Sequence, residues 1–348
     1  MNINGFEITQ SSPPYVISEM SGNHNGDLNI ALKIVELSAK AGANALKVQT
    51  HTAEGITFNS KSKDFLINDP KSLWNGRYLY ELYKSTELSR DWHKEIFNYA
   101  RERGITCFSS PFDTDSVRFL EELGTPAYKI ASFESTDVLL LKAVAETNKP
   151  VIVSTGMATL SDLDLIVNTL EKHGCKDYSL LKCTSAYPAS PEDANLNAIP
   201  FLKKKFGCPI GLSDHTIGNL VPILSVGLGA TIIEKHVCLD RSLGGVDSDF
   251  SMNPDELAAL VNEVNLAWSA LGDGKINPSK NEKNSTQFKR SLYFVESLES
   301  GEVITNKSIR SIRPGFGLAT KNYENIIGKK VSKNIDAGTA TSWELIDG

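Results

Sequence analysis

Charged and polar residues recur inside short apolar runs of this chain, at a spacing that would turn them all one way. Lys47 and Gln49 alternate with Leu46 and Val48 in ALKVQT. Lys129 stands similarly in AYKIAS, with Ser132 and Glu134 at or just beyond its end. In an extended strand successive side chains point to opposite faces, so each lysine is turned away from its apolar neighbours. Ser110 ends ITCFSS, Ser154 lies near the end of PVIVSTG, and Ser185 ends YSLLKCTS. Two ammonium groups and several hydroxyls converging on one mouth are what a phosphate and a carboxylate need.

GLSDHT places Ser213 and His215 on one face, and TIIEKHVCLD places Glu234, His236 and Cys238 on one face. Were these neighbouring strands, two imidazoles and a glutamate would meet in a divalent-metal site with positions left for water and substrate. Cys238 is then either core filler or a soft donor beside the metal. The run YVISEM leads into SGNHNGD. There Glu19 is a candidate acid–base group or hydroxyl clamp, and Asn23 and His24 lie among glycines that allow close backbone approach. No H-x-H occurs in this first run, which argues against the metal-dependent hydrolase barrels.

Eight strand-like runs alternate with amphipathic stretches such as LNIALKIVELSAKAG and DWHKEIFNYARERG, whose apolar spacing of three and four is helical. The series closes with PDELAALVNEVNLAWSALG and predicts an α/β fold, a (β/α)8 TIM barrel over residues 1–272. An open doubly wound sheet is the alternative. The barrel is favoured because polar residues recur at the C-terminal ends of all eight strands, where an open sheet would gather them at one switch point. Residues 51–88 form an unusually long connection, expected to cover a site. Residues 273–288 read as a polar linker, and 289–348 as a small β-rich domain. That domain repeats itself: SLESGEVITNKSI (297–309) and NIDAGTATSWELI (334–346) match at an offset of 37, with SIRPGFGL between them.

The 348 residues are 41% hydrophobic and 22% charged, with a net charge of −6, as in an ordinary globular protein. No basic block is present, which argues against nucleic acid as a partner. An apolar run of signal-peptide or membrane-spanning length is also missing, so a cytoplasmic protein without membrane contact is expected. Five cysteines without C-x-x-C spacing predict reduced thiols.

EMSGNHNGD, LKVQT, CFSSPFD, AYKIASFE, STGMAT, KCTSAYP, GLSDHT, EKHVCLDR and SIRPGFG together resemble the sialic acid synthase family along almost the whole chain. SLWNGRYLYELY, SSPFD and GGVDSDFS resemble its pseudaminic acid branch; the neuraminic and legionaminic acid branches are the alternatives, and a non-catalytic sugar-binding barrel the rival of another class. The resemblance implies condensation of phosphoenolpyruvate with an N-acylated amino sugar by a barrel carrying a C-terminal antifreeze-like (SAF) domain. It places phosphoenolpyruvate on Lys47, Ser110, Lys129, Ser132, Ser185 and Ser213, and manganese or magnesium on His215 and His236. It sets Glu19, Glu134, Tyr187 and Asp247 around the sugar. It also implies a domain-swapped homodimer, in which Arg313 reaches the partner's site and holds an acetamido arm.

Overall fold

The computed structural model describes residues 1–70 and 72–347, which form two compact units, Met1–Gly272 and Asp273–Gly348. The first opens with a hairpin of β1 (Asn2–Ile3) and β2 (Phe6–Glu7). Eight parallel strands follow: β3 (Tyr15–Glu19), β4 (Ala45–Thr50), β5 (Thr106–Pro111), β6 (Tyr128–Ile130), β7 (Val151–Ser154), β8 (Tyr178–Cys183), β9 (Ile210–Asp214) and β10 (Ile232–His236). They pair in chain order, and β10 closes on β3, so the sheet is a barrel and the open-sheet alternative falls.

The strands read as near-continuous apolar runs because both faces are buried. Outward residues such as Leu46, Val48, Val151, Val153 and Ile233 pack beneath the surrounding helices. The inward face changes character along the barrel axis. Its lower layers are Tyr15, Ile17, Ala45, Phe108, Ala127, Ile152, Leu181 and Ile232, with Ile3 and Ile8 from the N-terminal segment packed into the same cluster. Two residues further along each strand the inward position turns polar: Glu19, Lys47, Ser110, Lys129, Ser154, Cys183 and Glu234. The register aligns these positions, with Glu19 opposite both Lys47 and His236, and Ser213 opposite both Cys183 and Glu234.

Helix boundaries follow local chemistry. Thr159 with Asp162 and Asn253 with Glu256 form reciprocal capping boxes, the second followed by Pro254 at the first helical position. Among the described residues no helix is long and apolar enough to cross a membrane.

In the second unit, β11 (Ser291–Phe294) pairs antiparallel with β12 (Ile309–Ile312) over a core that includes Leu292, Phe294, Ile304, Ile335 and Ile346. The sequence repeat is visible as a two-fold exchange. Leu298 N–H donates to Ile335 O at 2.9 Å and Ile335 N–H to Leu298 O at 2.8 Å, while the equivalent Gly301 and Gly338 take φ of 85° and 93°. Most remaining pairings are single bridges, so regular strand is sparser than the sequence suggests.

Candidate active site

The C-terminal ends of the barrel strands surround a cavity of about 370 Å³, within the usual range for small-ligand sites. At its floor lie four buried charges. Lys47 Nζ is 2.6 Å from Glu19 Oε2 and 3.6 Å from Glu234 Oε1, and Lys129 Nζ is 3.3 Å from the same Glu234 oxygen. Gln49 donates to Glu19 Oε1 at 2.8 Å and to Ser21 Oγ at 3.1 Å, and Ser21 in turn hydrogen-bonds Asp247. A continuous polar chain therefore runs from Lys129 to Asp247.

Burial disfavours every charge here, and neighbours decide which survive. Burial lowers the affinity of Lys47 for its proton, but Glu19 and Glu234 more than restore it. For Lys129 burial wins, and its pKa falls below the usual lysine range. Burial also raises Glu19. Glu234 is pulled below the usual carboxylate range because both lysines outweigh its burial. Burial pushes Glu134 up to about 7 and Asp247 up to about 6. Carboxyls raised by burial (Glu19, Glu134 and Asp247) and one held anionic (Glu234) thus share the cavity, the arrangement that separates acid from base roles.

Alternation decides which serines reach this space. Ser110 points inward beneath Lys47 Nζ, 3.2 Å away, behind the cavity surface, whereas Ser109 turns outward to Thr50. Ser132, Ser154 and Ser213 border the cavity. Ser185 and Ser132 flank Gly156, whose N–H donates to Ser132 Oγ at 3.1 Å; a Cβ there would lie 2.1 Å from Ser185 Oγ. Only glycine leaves both hydroxyls in place.

His215 and His236 come together, with ring centroids 5.2 Å apart, and both border the cavity. His215 Nδ1 lies 2.9 Å from the Thr184 carbonyl, which can only accept, so Nδ1 carries a proton and Nε2 is the nitrogen left for a metal; burial would lower the ring's pKa, but Cys183 raises it. Burial holds His236 well below the usual histidine pKa, in the neutral, ligating form; its Nδ1 is buried without a hydrogen bond, 3.6 Å from Asp247. Tyr187 and Phe250 pack against the rings at 4.4 Å and 5.0 Å and fix their planes. These residues fit a divalent cation as two imidazole ligands. Glu234 is not spaced with them as a third ligand, and both lysines engage one of its oxygens, Oε1. Among the described residues no group of three or more His, Cys, Asp and Glu is spaced to hold a metal. Directly behind the histidines, outward-facing Lys235 and Asp214 form a buried ion pair at 2.8 Å.

Two residues lie away from their expected place. Asn23 and His24 do not border the cavity. Asn23 donates to Val237 O and Ser251 Oγ, both at 2.8 Å, tying the first loop to the chain after β10. His24 is buried edge-on to Trp92 and accepts from Gly26 N–H. Cys238 lies beyond the end of β10, where alternation no longer holds, and packs near Leu37 and Leu257 as core filler. The cysteine at the site is Cys183: burial would raise its thiol, but His215 pulls it down to about 7. Sequence reasoning also missed Ser21, in a left-handed conformation with φ 48°, and His51, two residues past Gln49 on the same alternating face. The long connection does line the cavity, through Ile67, Trp74, Leu82 and Tyr83. Trp74 meets Tyr187 at a tilt, ring centroids 5.7 Å apart, and donates to Val246 O at 3.0 Å.

Within its own unit, Arg313 is exposed on a braced loop. Ser291 Oγ donates to Pro314 O at 2.6 Å and accepts from Gly317 N–H at 2.9 Å, and Gly315 N–H donates to Gln287 O at 2.8 Å.

The profile of the NeuB family matches residues 34–276, and that of the SAF domain residues 289–347. The pseudaminic acid synthase of Campylobacter jejuni is 45% identical over 94% of this chain and 94% of that protein. The pseudaminic acid synthase of Helicobacter pylori is 42% identical over 96% of this chain and 98% of its own length. Among solved structures, N-acetylneuraminic acid synthetase from Leptospira borgpetersenii is 35% identical with a TM-score of 0.73, covering 82% of this chain and 94% of that one. With the family profile spanning well over half of its length and full-length relatives this similar, the chain belongs to the NeuB family.

Proposed function

We propose that this chain is an enzyme that condenses phosphoenolpyruvate with 2,4-diacetamido-2,4,6-trideoxy-β-L-altropyranose and water, giving pseudaminic acid and phosphate. The observation that carries the proposal is the buried Lys47–Glu19–Glu234–Lys129 cluster at the floor of the cavity. Two lysines held in place by carboxylates suit a phosphorylated acid, because the ligand's anionic groups can take over their pairing. Buried polar atoms without a hydrogen-bond partner on Glu134, Ser154, Glu234 and His236 mark the same space as built for a polar ligand. The pseudaminic acid synthases among the relatives favour this sugar over N-acetylmannosamine or a legionaminic acid precursor.

In this account Lys47, Lys129 and the hydroxyls of Ser132, Ser154, Ser185 and Ser213 hold phosphoenolpyruvate, with Ser110 bracing Lys47 from behind. C3 of phosphoenolpyruvate forms a bond to the aldehyde carbon of the open-chain sugar; the aldehyde π pair moves to its oxygen, which takes a proton to become a hydroxyl, and positive charge develops at C2. Glu19 and anionic Glu234 stabilise that charge, and Glu19 is placed to take a proton from the water that adds at C2. The tetrahedral intermediate expels phosphate by C–O cleavage, and Glu134 is the carboxyl able to supply a proton near neutral pH. A divalent cation on His215 and His236, manganese or magnesium, would supply Lewis-acid polarisation of the aldehyde oxygen when bound. Tyr187 and Asp247 border the sugar. Arg313 from a partner subunit completes the site in a domain-swapped homodimer. Five unpaired cysteines suit action in the reducing cytoplasm.

The test is phosphate release from phosphoenolpyruvate by the purified protein with divalent metal. Release that depends on the diacetamido sugar is expected; no release with any N-acyl sugar would leave a non-catalytic sugar-binding barrel.

A further inference from the structure

His51 borders the cavity yet has no part in the chemistry above, and it is only 5% exposed. Its Nε2 lies 3.2 Å from Thr86 Oγ1 and 3.4 Å from the Tyr83 carbonyl oxygen. The Thr86 hydroxyl donates to that same carbonyl at 3.0 Å, so it offers the ring a lone pair. Both neighbours of Nε2 are therefore acceptors, and Nε2 carries the ring proton. Burial keeps the ring below the usual histidine pKa and hence neutral, which leaves Nδ1 as an acceptor. Nδ1 is buried, and no described residue donates to it. A buried acceptor without a donor is costly unless a ligand supplies one. The ring also meets two aromatic edges that border the cavity, Phe112 at 5.2 Å and Tyr83 at 6.4 Å. A ligand group that donates one hydrogen bond and carries a small apolar substituent matches this corner; a secondary amide bearing a methyl does both.

We propose that His51 Nδ1 accepts the amide N–H of one acetamido group of the sugar, with the acetyl methyl against Phe112 and Tyr83. This assignment rests on the proposed sugar site. A hydroxyl could also donate to Nδ1, but it brings nothing to the aromatic edges, so the corner discriminates acetamido from hydroxyl.

The test compares wild type, His51→Phe and His51→Asn in the phosphate-release assay, with thermal melting as a check on folding. Phenylalanine keeps the ring shape without the acceptor, and asparagine restores an acceptor near the Nδ1 position. His51→Phe should raise the sugar KM about tenfold or more, from the loss of one buried hydrogen bond. It should leave the phosphoenolpyruvate KM within about twofold and erase the preference for acetamido over hydroxyl at one sugar carbon. His51→Asn should recover much of the loss. Independently of any variant, wild type should disfavour, by about tenfold, a sugar whose reading amide is N-methylated. An N-methylated sugar used as well as the parent at both amides overturns the assignment, as does a folded His51→Phe with unchanged sugar KM and selectivity. If wild type turns over the parent sugar in those cases, the sugar site stands and only the role of His51 falls. If wild type turns over no N-acyl sugar, both fall.

Discussion

Gly156→Ala separates a phosphate-binding role for Ser132 and Ser185 from a packing role. Gly156 follows β7, and a Cβ at this position would sit 2.1 Å from Ser185 Oγ, 2.7 Å from Ser132 Oγ and 3.1 Å from Ser132 Cβ. Ordinary contact begins near 3.4 Å, so the two hydroxyls must retreat by about 1.3 and 0.7 Å. Serine side chains can rotate, so the fold should survive with a loss of about 1 kcal/mol, a few degrees in Tm. The hydroxyls, however, leave the positions from which they would meet the ligand. Two hydrogen bonds to a charged phosphate at about 1.5 kcal/mol each amount to roughly a hundredfold in affinity. Initial rates of phosphate release against phosphoenolpyruvate, at saturating sugar, should show that rise in KM with the sugar KM little changed. A phosphoenolpyruvate KM within about twofold of wild type, in a protein that melts normally, would refute the role given to Ser132 and Ser185.

Other variants probe the charges around the site. Glu134, near 4.5 when unfolded and pushed up to about 7 by burial, keeps its proton in the folded protein while the unfolded chain releases it. Wild type therefore loses stability relative to Glu134→Gln as pH rises from 4.5 through 7. The pH-dependent difference should be absent near pH 4 and reach roughly 3 kcal/mol above pH 7.5, read as a higher Tm of the variant at pH 8. Lys235→Met strands Asp214 as an unpaired buried charge and should cost about 3–5 kcal/mol in denaturant unfolding; a loss under about 1 kcal/mol would mean that the pair contributes little. His215→Ala and His236→Ala should each abolish turnover and weaken Mn²⁺ binding by calorimetry, while leaving phosphoenolpyruvate binding largely intact. Unchanged rates would remove the metal assignment.

The parts of this site legible in the sequence are those that β-strand geometry dictates. Period-two alternation puts Lys47, Lys129, Ser154, Ser213, His215, Glu234 and His236 on the inward face, and closure of the barrel brings them together. Alternation fails where the strands stop. Cys238, two residues past the end of β10, turns away into the helix layer, although its spacing matches His236. Asn23 and His24 lie off the cavity for a related reason: a loop rich in Asn and Gly looks the same in sequence whether it faces a ligand or pins neighbouring loops. Here Asn23 bonds to Val237 and Ser251, contacts more than 200 residues away along the chain. Ion pairing was equally hidden. Glu234 and His236 share a face, yet the carboxylate belongs to the lysines because Lys47 and Lys129 project to the same depth from β4 and β6. His51, by contrast, was within reach, since continuing the alternation of Lys47 and Gln49 by one step finds it.

The most direct measurement follows the bridging oxygen of phosphoenolpyruvate. With ¹⁸O between C2 and phosphorus, the enzyme, divalent metal and the diacetamido sugar should release phosphate carrying the label, because the tetrahedral centre at C2 expels phosphate by C–O cleavage. The nine-carbon product should take its C2 oxygen from water. Label retained at C2 of the product, or phosphate released at the same rate without any sugar, would contradict the account.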